Sequence, residues 1–360
     1  MQYPAVEVNL KRLDTNARYI LRECRRREIE PTAVTKVVSA HPELVRCLHA
    51  AGFRSMADSR LANLRSLAQH APGVQRGLLR LPMPSRARET VELAQLSLNS
   101  EVETLKALDG AAGDLGGRHG VVIMVDVGDL REGVWPDEIE DMGNALQNLS
   151  HLDVVGVGTN LACYGGVIPD EENMARLLRA RSVLQGVLGR RIPMVSGGNS
   201  ANWSMLEAGE VPGEVNNLRL GEIIFLGNES MYRRPIAGMH QDVFTLCAEV
   251  LEVKVKPSMP LGETGQDAFG QTPQFEDHGD RLRAIVGVGR ADVEPDGLQP
   301  EDPGIHILGA SSDHLILDVE SAEERPAVGD VLRFTVRGYS ALLYLFMSRY
   351  VEKSMIRELP

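Results

Sequence analysis

The chain of 360 residues is poor in cysteine, lysine and aromatic residues, and has no long hydrophobic run. Its four cysteines, Cys24, Cys47, Cys163 and Cys247, are far apart and form no C-x-x-C pair. We therefore expect reduced thiols in a cytoplasmic protein, with neither a disulfide framework nor a metal site. Because no apolar run reaches membrane-spanning length and the first residues show no signal-peptide pattern, we expect no membrane insertion.

Positive charge is also in deficit. The formal net charge is −12, which argues against nucleic-acid partners because binding to phosphates requires a basic surface. Hydrophobic residues make up 43% of the chain and charged residues 24%, as in ordinary globular proteins that bury a large core. The length suits one large domain followed by a second, smaller one.

Strand patterns and helical patterns alternate through the first 230 residues. Apolar residues recur at helical spacing in "ELVRCLHAA", "RLANLRSLAQH" and "NMARLLRARSVLQGVL". Eight strands are predicted between the helices: "AVTKVVS", "FRSMADS", "RGLLRLP", "QLSLNS", "GVVIMVDVG", "DVVGVGTN", "IPMVSGGNS" and "NLRLGEIIF". The alternation predicts an α/β fold in which residues 10–235 form a (β/α)8 barrel, with a doubly wound sheet as the alternative.

Residues 236–360 differ in character, because strand patterns there are separated by turns rich in proline and glycine. They predict a smaller, mainly β domain, which an N-terminal strand at 1–9 is expected to join because "AVEVNL" near the N-terminus alternates like a strand. The polar stretch 261–281, rich in glycine and glutamine, predicts a long loop inside this domain.

Lys36 is one of six lysines and the only one between residues 11 and 106. It follows a short β-branched run, at the predicted carboxyl end of the first barrel strand, where barrel enzymes present their reactive groups. Two interpretations stay open on position alone. The side chain either extends along its stem to water, or it is a buried amine of lowered pKa that forms a Schiff base with a carbonyl compound.

Two glycine-bearing turns follow the seventh and eighth predicted strands: "VSGGNSAN" at 195–202 and "RLGEI" at 219–223. Glycine lets the backbone approach an anion, and Ser200 with the N–H groups after it can bind a phosphate. Phosphate sites of barrel enzymes commonly lie after these two strands. A phosphate beside a Schiff-base lysine indicates pyridoxal 5'-phosphate (PLP).

With these motifs in place, the chain resembles the alanine racemase family of PLP enzymes, most closely its ornithine racemase-like branch. The resemblance covers nearly the whole chain and is most specific in "AVTKVVSAHPELV", "VDVGDLREG", "GVGTNLACYGG", "SGGNSAN", "NLRLGEIIFLGNE" and "GRADVEPDGL". It implies a PLP-binding barrel followed by a C-terminal β domain. It also implies a head-to-tail homodimer in which the partner's β domain completes each active site.

The resemblance also implies roles for individual residues. Lys36 matches the lysine that holds PLP as a Schiff base and acts as one racemisation base, and Arg219 matches the arginine that faces the pyridine nitrogen. Arg131 matches an active-site arginine, and Asn160 lies where alanine racemases often have a histidine against the cofactor ring. The phosphate cradle is matched by Ser200 with backbone groups of Gly221 and Glu222, and Tyr339 and Tyr350 are further phosphate ligands to consider.

The chain departs from the family pattern at two positions. Arg290, in "GRADV", stands where alanine racemases carry the tyrosine that serves as second base, and an arginine is a poor proton acceptor. Ala40 lies near the place of a phosphate-binding tyrosine. Another group must therefore act on the second face of the substrate. The groups considered are Ser312 with Asp313, contributed by the partner subunit, then His314, and Cys163 with Tyr164 from the same chain.

The function expected is that of a PLP-dependent racemase of a free amino acid, first of all a basic one such as ornithine. A side-chain ammonium would need an acidic partner, and the acids considered are Asp58, Asp129, Glu132, Asp292 and Asp313. The alternatives are a racemase of alanine or serine, a PLP-dependent decarboxylase or aldolase, and a PLP carrier protein. An arginine opposite the pyridine nitrogen disfavours decarboxylation, and the second domain disfavours a carrier.

Overall fold

A computed structural model describes residues 2–356, and its contacts divide the chain into two units. Residues 13–241 form the barrel unit, and residues 2–12 together with 242–356 form the sheet unit. The sequence placed this boundary at 235/236, whereas the contacts place it at 241/242. The six residues between these positions are tied to the barrel unit, because the Asn16 carboxamide bonds both the N–H of His240, at 2.7 Å, and its carbonyl, at 2.8 Å.

The first two elements are β1 (Ala5–Asn9) and α1 (Leu10–Arg25). Each strand of the barrel is then followed by a helix. In chain order they are β2 (Glu30–Val34), α2 (Pro42–Ala51), β3 (Ser55–Asp58), α3 (Leu61–His70), β4 (Gln75–Leu78), α4 (Ala87–Leu93), β5 (Leu96–Asn99), α5 (Val102–Asp114), β6 (His119–Met124), α6 (Ile139–Leu146), β7 (Leu152–Gly158), α7 (Glu171–Leu188), β8 (Met194–Ser196), α8 (Trp203–Ala208), β9 (Asn217–Leu220) and α9 (Glu222–Leu226).

The strands β2 to β9 close into a barrel in sequence order, and their pairings are parallel. Closure occurs between β2 and β9, where Thr32 is in register with Arg219, while on its other side Thr32 is in register with Ser55. The predicted (β/α)8 barrel is confirmed, and the doubly wound sheet is wrong because such a sheet stays open. Parallel closure brings all eight carboxyl ends to one rim.

Two kinds of side chain fill the barrel interior. Leu96, Leu98, Val122 and Met124 form an apolar cluster on one side, and burying side chains of this size stabilises the fold by about 1.5–3 kcal/mol each. Polar side chains of β2, β3, β8 and β9 face a cavity of about 20 Å³, which is too small for a substrate. The interior is therefore filled with side chains, and the rim at the carboxyl ends of the strands is where a barrel of this kind places its site.

The sheet unit contains β10 (Phe244–Pro257), β11 (Asp280–Val286), β12 (Leu298–Pro300), β13 (His306–Ala310), β14 (Leu315–Asp318), β15 (Val331–Val336), α10 (Tyr339–Met347) and β16 (Glu352–Ile356). The sheet order is β12-β15-β10-β11-β14-β13, and β1 joins it by pairing antiparallel with β10 and parallel with β16. The predicted mainly β domain is thus confirmed. Residues 258–279, between β10 and β11, form a long loop without helix or strand.

Two strand predictions were wrong in part. "AVTKVVS" is a strand only up to Val34, because the chain then turns through a 3-10 helix at Lys36–Val38 and through positive φ angles at Ser39 and Ala40. "NLRLGEIIF" is a strand only up to Leu220, because "EIIFL" forms α9. In both segments the β-branched residues reflect burial, which strands and short buried helices share.

None of the helices in the described residues combines the length and the apolar composition needed to cross a bilayer.

Candidate active site

Lys36 lies just beyond the end of β2, in the 3-10 turn at the rim of the barrel. Its side chain is half-buried. Burial lowers the pKa of its amine, while the nearby Cys163 and Asp58 act in the opposite direction and Arg131 acts in the same direction as burial. A lysine in this environment has a larger neutral fraction than a surface lysine, which is the property that a nucleophile or base requires.

Asp58, the last residue of β3, anchors the backbone next to Lys36. Its fully buried carboxylate accepts hydrogen bonds from the Thr35 hydroxyl at 2.8 Å, the Asn63 amide at 2.9 Å and the backbone N–H of Arg60 at 3.1 Å. Burial nevertheless raises the pKa of Asp58, against the effect of these hydrogen bonds. Because its oxygens are already used, Asp58 holds Thr35 in place and is poorly suited to bind a substrate ammonium.

Arg219, on β9, is a buried cation. Its guanidinium donates to the Thr159 carbonyl at 2.5 Å, to the Asn160 side-chain oxygen at 2.7 Å and to the Ser196 hydroxyl. Burial lowers the pKa of Arg219 to about 10, partly offset by the nearby Glu132. The group therefore stays protonated at neutral pH and can donate hydrogen bonds but cannot accept a proton.

Asn160, after β7, connects Arg219 to an acid. Its amide nitrogen donates to Glu132 Oε1 at 2.6 Å while its oxygen accepts from Arg219. Glu132 also forms an ion pair with the neighbouring Arg131. The predicted residues Arg131, Asn160 and Arg219 thus belong to one hydrogen-bonded chain, and Glu132 is the member that joins them.

The two glycine turns meet at Ser200. The backbone N–H groups of Gly221 and Ile223 point at the Ser200 hydroxyl, at 3.4 and 3.5 Å. These contacts are long, so the donors can rearrange towards a more strongly accepting anion. The Glu222 side chain forms an ion pair with Arg233, so only its backbone suits the predicted phosphate cradle.

Gly198 in "SGGNS" requires glycine. Its φ is +143°, and a Cβ at this position would collide with Asn202 Oδ1. That oxygen is needed for the turn, because it accepts from the N–H of Asn199, whose own side chain accepts from the N–H of Ala201. The reciprocal caps fix the approach to Ser200.

The loop after β7 carries Cys163 and Tyr164, which the sequence offered as a proton relay. Asp129, itself buried, holds this loop by accepting from the N–H groups of Cys163 at 3.1 Å, Tyr164 at 2.9 Å and Val167 at 3.3 Å. The Tyr164 side chain is exposed, and the Cys163 thiol accepts from the Asn199 amide at 3.3 Å. Asp129 is therefore a loop anchor, and its role as a partner for a substrate ammonium has no support.

The remaining predicted residues lie in the sheet unit. The Ser312 hydroxyl donates to the Asp313 carboxylate at 2.8 Å in the exposed turn between β13 and β14. Arg290 lies against this turn, since its N–H donates to the Ser311 carbonyl at 2.9 Å. Tyr339 is the first residue of α10. Within its unit each has a defined position, and the contribution of these residues to a partner's active site stays a prediction.

Two residues that form hydrogen bonds at the barrel rim were not predicted from the sequence. Ser196 is a direct acceptor for Arg219, and Ile223 supplies a backbone donor beside Ser200. Ser196 is the last residue of β8 and lies inside the predicted strand "IPMVSGGNS", where a polar residue is a signal that could have been used. Ile223 had no such signal, because backbone donors do not depend on residue type.

The chain matches known proteins over nearly its full length. It is 41% identical over 357 residues to the ornithine racemase of Acetoanaerobium sticklandii, covering 98% of this chain and 100% of the relative. It is 40% identical over 353 residues to the lysine racemase of Thermotoga maritima, covering 98% of each.

A solved structure and a family model also match this chain. The alanine racemase from Bartonella henselae, solved with covalently bound pyridoxal phosphate, superposes with a TM-score of 0.75 over 99% of this chain and 100% of that one, at 16% identity. That likeness concerns the fold alone. The model for the alanine racemase N-terminal domain matches residues 8–229. The chain therefore belongs to the alanine racemase family.

Proposed function

We propose that the protein is a PLP-dependent racemase that interconverts the L- and D-forms of a free basic amino acid, with ornithine as the first substrate to test. The observation that carries the proposal is the half-buried Lys36 at the barrel rim, whose pKa burial lowers. Similarity over the full chain to racemases of ornithine and lysine supports both the reaction and the basic substrate.

The residues at the rim fit PLP. Lys36 supplies an amine of lowered pKa for the aldehyde, and Arg219 supplies a buried cationic donor for the pyridine nitrogen. The N–H groups of Gly221 and Ile223 both point at the Ser200 hydroxyl, and these three neighbouring groups suit a phosphate. When bound, PLP withdraws electrons from the substrate α-carbon and so makes its C–H bond acidic.

In this proposal Lys36 holds the cofactor and then moves a proton. Its Nζ removes the α-proton from one face of the substrate, which requires the neutral amine that burial favours. Arg219 stays cationic and can only donate, so it would leave the nitrogen of a bound pyridine ring unprotonated. By limiting electron withdrawal in this way, Arg219 would favour proton exchange over decarboxylation, and so the racemase over the decarboxylase.

The opposite face needs a second group, for which we propose Ser312 of the partner subunit in a head-to-tail homodimer. Its hydroxyl would give a proton to this face and regain one from solvent, and its hydrogen bond to Asp313 in the β13–β14 turn would orient it. Arg290 is unsuited to this role, because its guanidinium pairs with Glu294 at 3.0 Å and lies 5.3 Å from the centre of the Phe269 ring. Tyr339 as a phosphate ligand, the homodimer and a cytoplasmic location remain predictions.

Product analysis tests the proposal. Purified protein loaded with PLP is incubated with L-ornithine, L-lysine, L-alanine and L-serine in separate reactions, and D-amino acid, carbon dioxide and aldehyde are followed. We expect the D-form of the basic amino acids, and no product from the Lys36→Ala variant. Carbon dioxide or aldehyde as the main product would indicate a decarboxylase or an aldolase. Bound PLP without any turnover would indicate a carrier.

A further inference from the structure

The loop after β6 fixes Glu132 at the rim. The Asp126 carboxylate accepts from the N–H groups of Gly128 at 2.8 Å and Leu130 at 3.3 Å. Gly133 has a φ of +148°, and a Cβ at this position would collide with the backbone of Asp126. The loop is closed by the N–H of Val134, which donates to the Met124 carbonyl at 2.8 Å. These contacts hold the backbone on both sides of Glu132.

Arg219 lacks a carboxylate of its own. Within residues 2–356, every hydrogen bond that its guanidinium donates goes to an uncharged acceptor: a carbonyl of Thr159 or Ser196, the Ser196 hydroxyl or the Asn160 amide. A buried charge is expensive unless a counter-charge lies close by. The nearest acid in this hydrogen-bonded chain is Glu132, which is bonded to Asn160 and so reaches Arg219 through it.

Asn160 is oriented by its two neighbours. Arginine can only donate and a carboxylate can only accept, so the amide oxygen must face Arg219 and the amide nitrogen must face Glu132. In this orientation the amide dipole aligns with the field between the two charges. Because an amide does not titrate, the link transmits electrostatic influence and hydrogen-bond geometry and carries no proton.

We propose that Glu132 is a positioning residue that supplies the counter-charge of Arg219 through Asn160. The inference rests on the proposed function for its catalytic consequence. Glu132 is engaged by Arg131 and Asn160, so it is not the group that takes a substrate ammonium. Its charge also acts in the direction of a higher pKa on both Lys36 and Arg219, although burial is the larger influence on each.

The test compares Glu132→Gln with Glu140→Gln, which removes the same charge from an exposed position in α6. In the PLP-loaded protein, the pH midpoint of the visible absorbance of the lysine-bound cofactor is measured. Loss of a negative charge near a cation lowers its pKa, so we expect Glu132→Gln to shift the midpoint down by about one pH unit. We expect no shift in Glu140→Gln. In an Asn160→Ala background the shift should fall by about half or more, because the bridge is gone.

Thermal unfolding gives a second readout that needs no cofactor. We expect Glu132→Gln to lower the unfolding midpoint of the barrel unit by about 3 °C or more relative to Glu140→Gln. If the wild type shows no visible absorbance with PLP, the proposed function fails, and the unfolding comparison still decides the counter-charge. Equal midpoints for the two variants in both measurements would overturn the inference. The inference would also be overturned if Glu132→Gln raised the KM for ornithine but not for alanine and left both midpoints unchanged. Glu132 would then bind the side-chain ammonium of the substrate.

Discussion

Asp58 offers a prediction whose size follows from the structure. Replacing it by alanine should destabilise the barrel, and replacing it by asparagine should not. Its carboxylate accepts from Thr35, Asn63 and the N–H of Arg60. Thr35 immediately precedes Lys36, so the alanine variant should also lower activity by loosening the turn that carries the amine.

The magnitude comes from the accessibility of the three donors. A hydrogen bond to a charged group contributes about 1.5–3 kcal/mol. Arg60 is exposed and Asn63 is half-buried, so we expect water to reach these two donors in the variant, whereas Thr35 is fully buried. The cost of Asp58→Ala should therefore be about 3 kcal/mol. For a domain the size of the barrel unit this lowers the unfolding midpoint by about 9 °C.

Asparagine keeps the network without the charge. Its oxygen accepts from Arg60 and Asn63, and its amide donates to the Thr35 hydroxyl, which both donates and accepts. Burial raises the pKa of Asp58 above its unfolded value, so its titration stabilises the folded state at acid pH. This contribution is complete below the unfolded pKa of about 3.9 and is lost as the pH rises through the folded pKa. As the pH rises across that window, the free energy of unfolding of the Asp58→Asn variant should therefore increase relative to that of the wild type.

The assay is urea unfolding at several pH values, followed by tryptophan fluorescence. Both tryptophans of the chain, the buried Trp203 in α8 and the exposed Trp135, lie in the barrel unit. Asp137→Ala and Asp137→Asn are matched controls, because Asp137 is exposed in a rim turn. The reasoning is refuted if Asp58→Ala unfolds like Asp137→Ala. It is also refuted if the asparagine variant is as unstable as the alanine variant at neutral pH.

Two further predictions concern the cofactor site. Because burial lowers the pKa of Lys36, the rate at which cofactor-free protein binds PLP should reach half its maximum below pH 10.5, the ordinary lysine value; a midpoint at or above this value would contradict the assignment. Gly198→Ala should weaken PLP binding about tenfold, because the new Cβ meets Asn202 in a conformation that costs an alanine about 1–3 kcal/mol. An absorbance titration measures the affinity, and Gly110→Ala, where an added Cβ contacts nothing within 4 Å, serves as control. Equal affinities for the two variants would show that the turn is not part of the cradle.

The order of elements could be predicted from sequence because it depends on local periodicity. The ends of the strands could not be predicted in this way, and the segment around Lys36 shows the reason. Val37 and Val38 look like a continuing strand, yet they are buried in a turn whose path depends on Asp58, more than 20 residues away. The helix α9 was predicted as a strand for the same reason, because four of its residues are buried and apolar.

The candidate site also has a part that local sequence signals predict and a part that they do not. Lys36 and the "SGGNS" turn carry local signals, a rare lysine after a strand and a pair of glycines, so both could be proposed as site residues from the sequence. The chain from Arg219 to Glu132 joins β9 with the loops after β7 and β6, about 60 and 30 positions apart in sequence. Its contacts depend on the stagger of neighbouring strands, which periodicity does not encode. Glu132 could be named as an acid, but its partners could not.

The pairing of β1 with β16 has a consequence for synthesis. Ala5 is in register with Glu352, so two strands nearly the whole chain apart lie side by side in one sheet. On the ribosome, β1 emerges first and must wait, while the barrel unit, whose strands pair mostly with their sequence neighbours, can form behind it. Until β16 is made, β1 lacks that neighbour and offers an unpaired edge. Among the strands of residues 2–356, this pairing closes the longest loop, and it cannot form until β16 has been made.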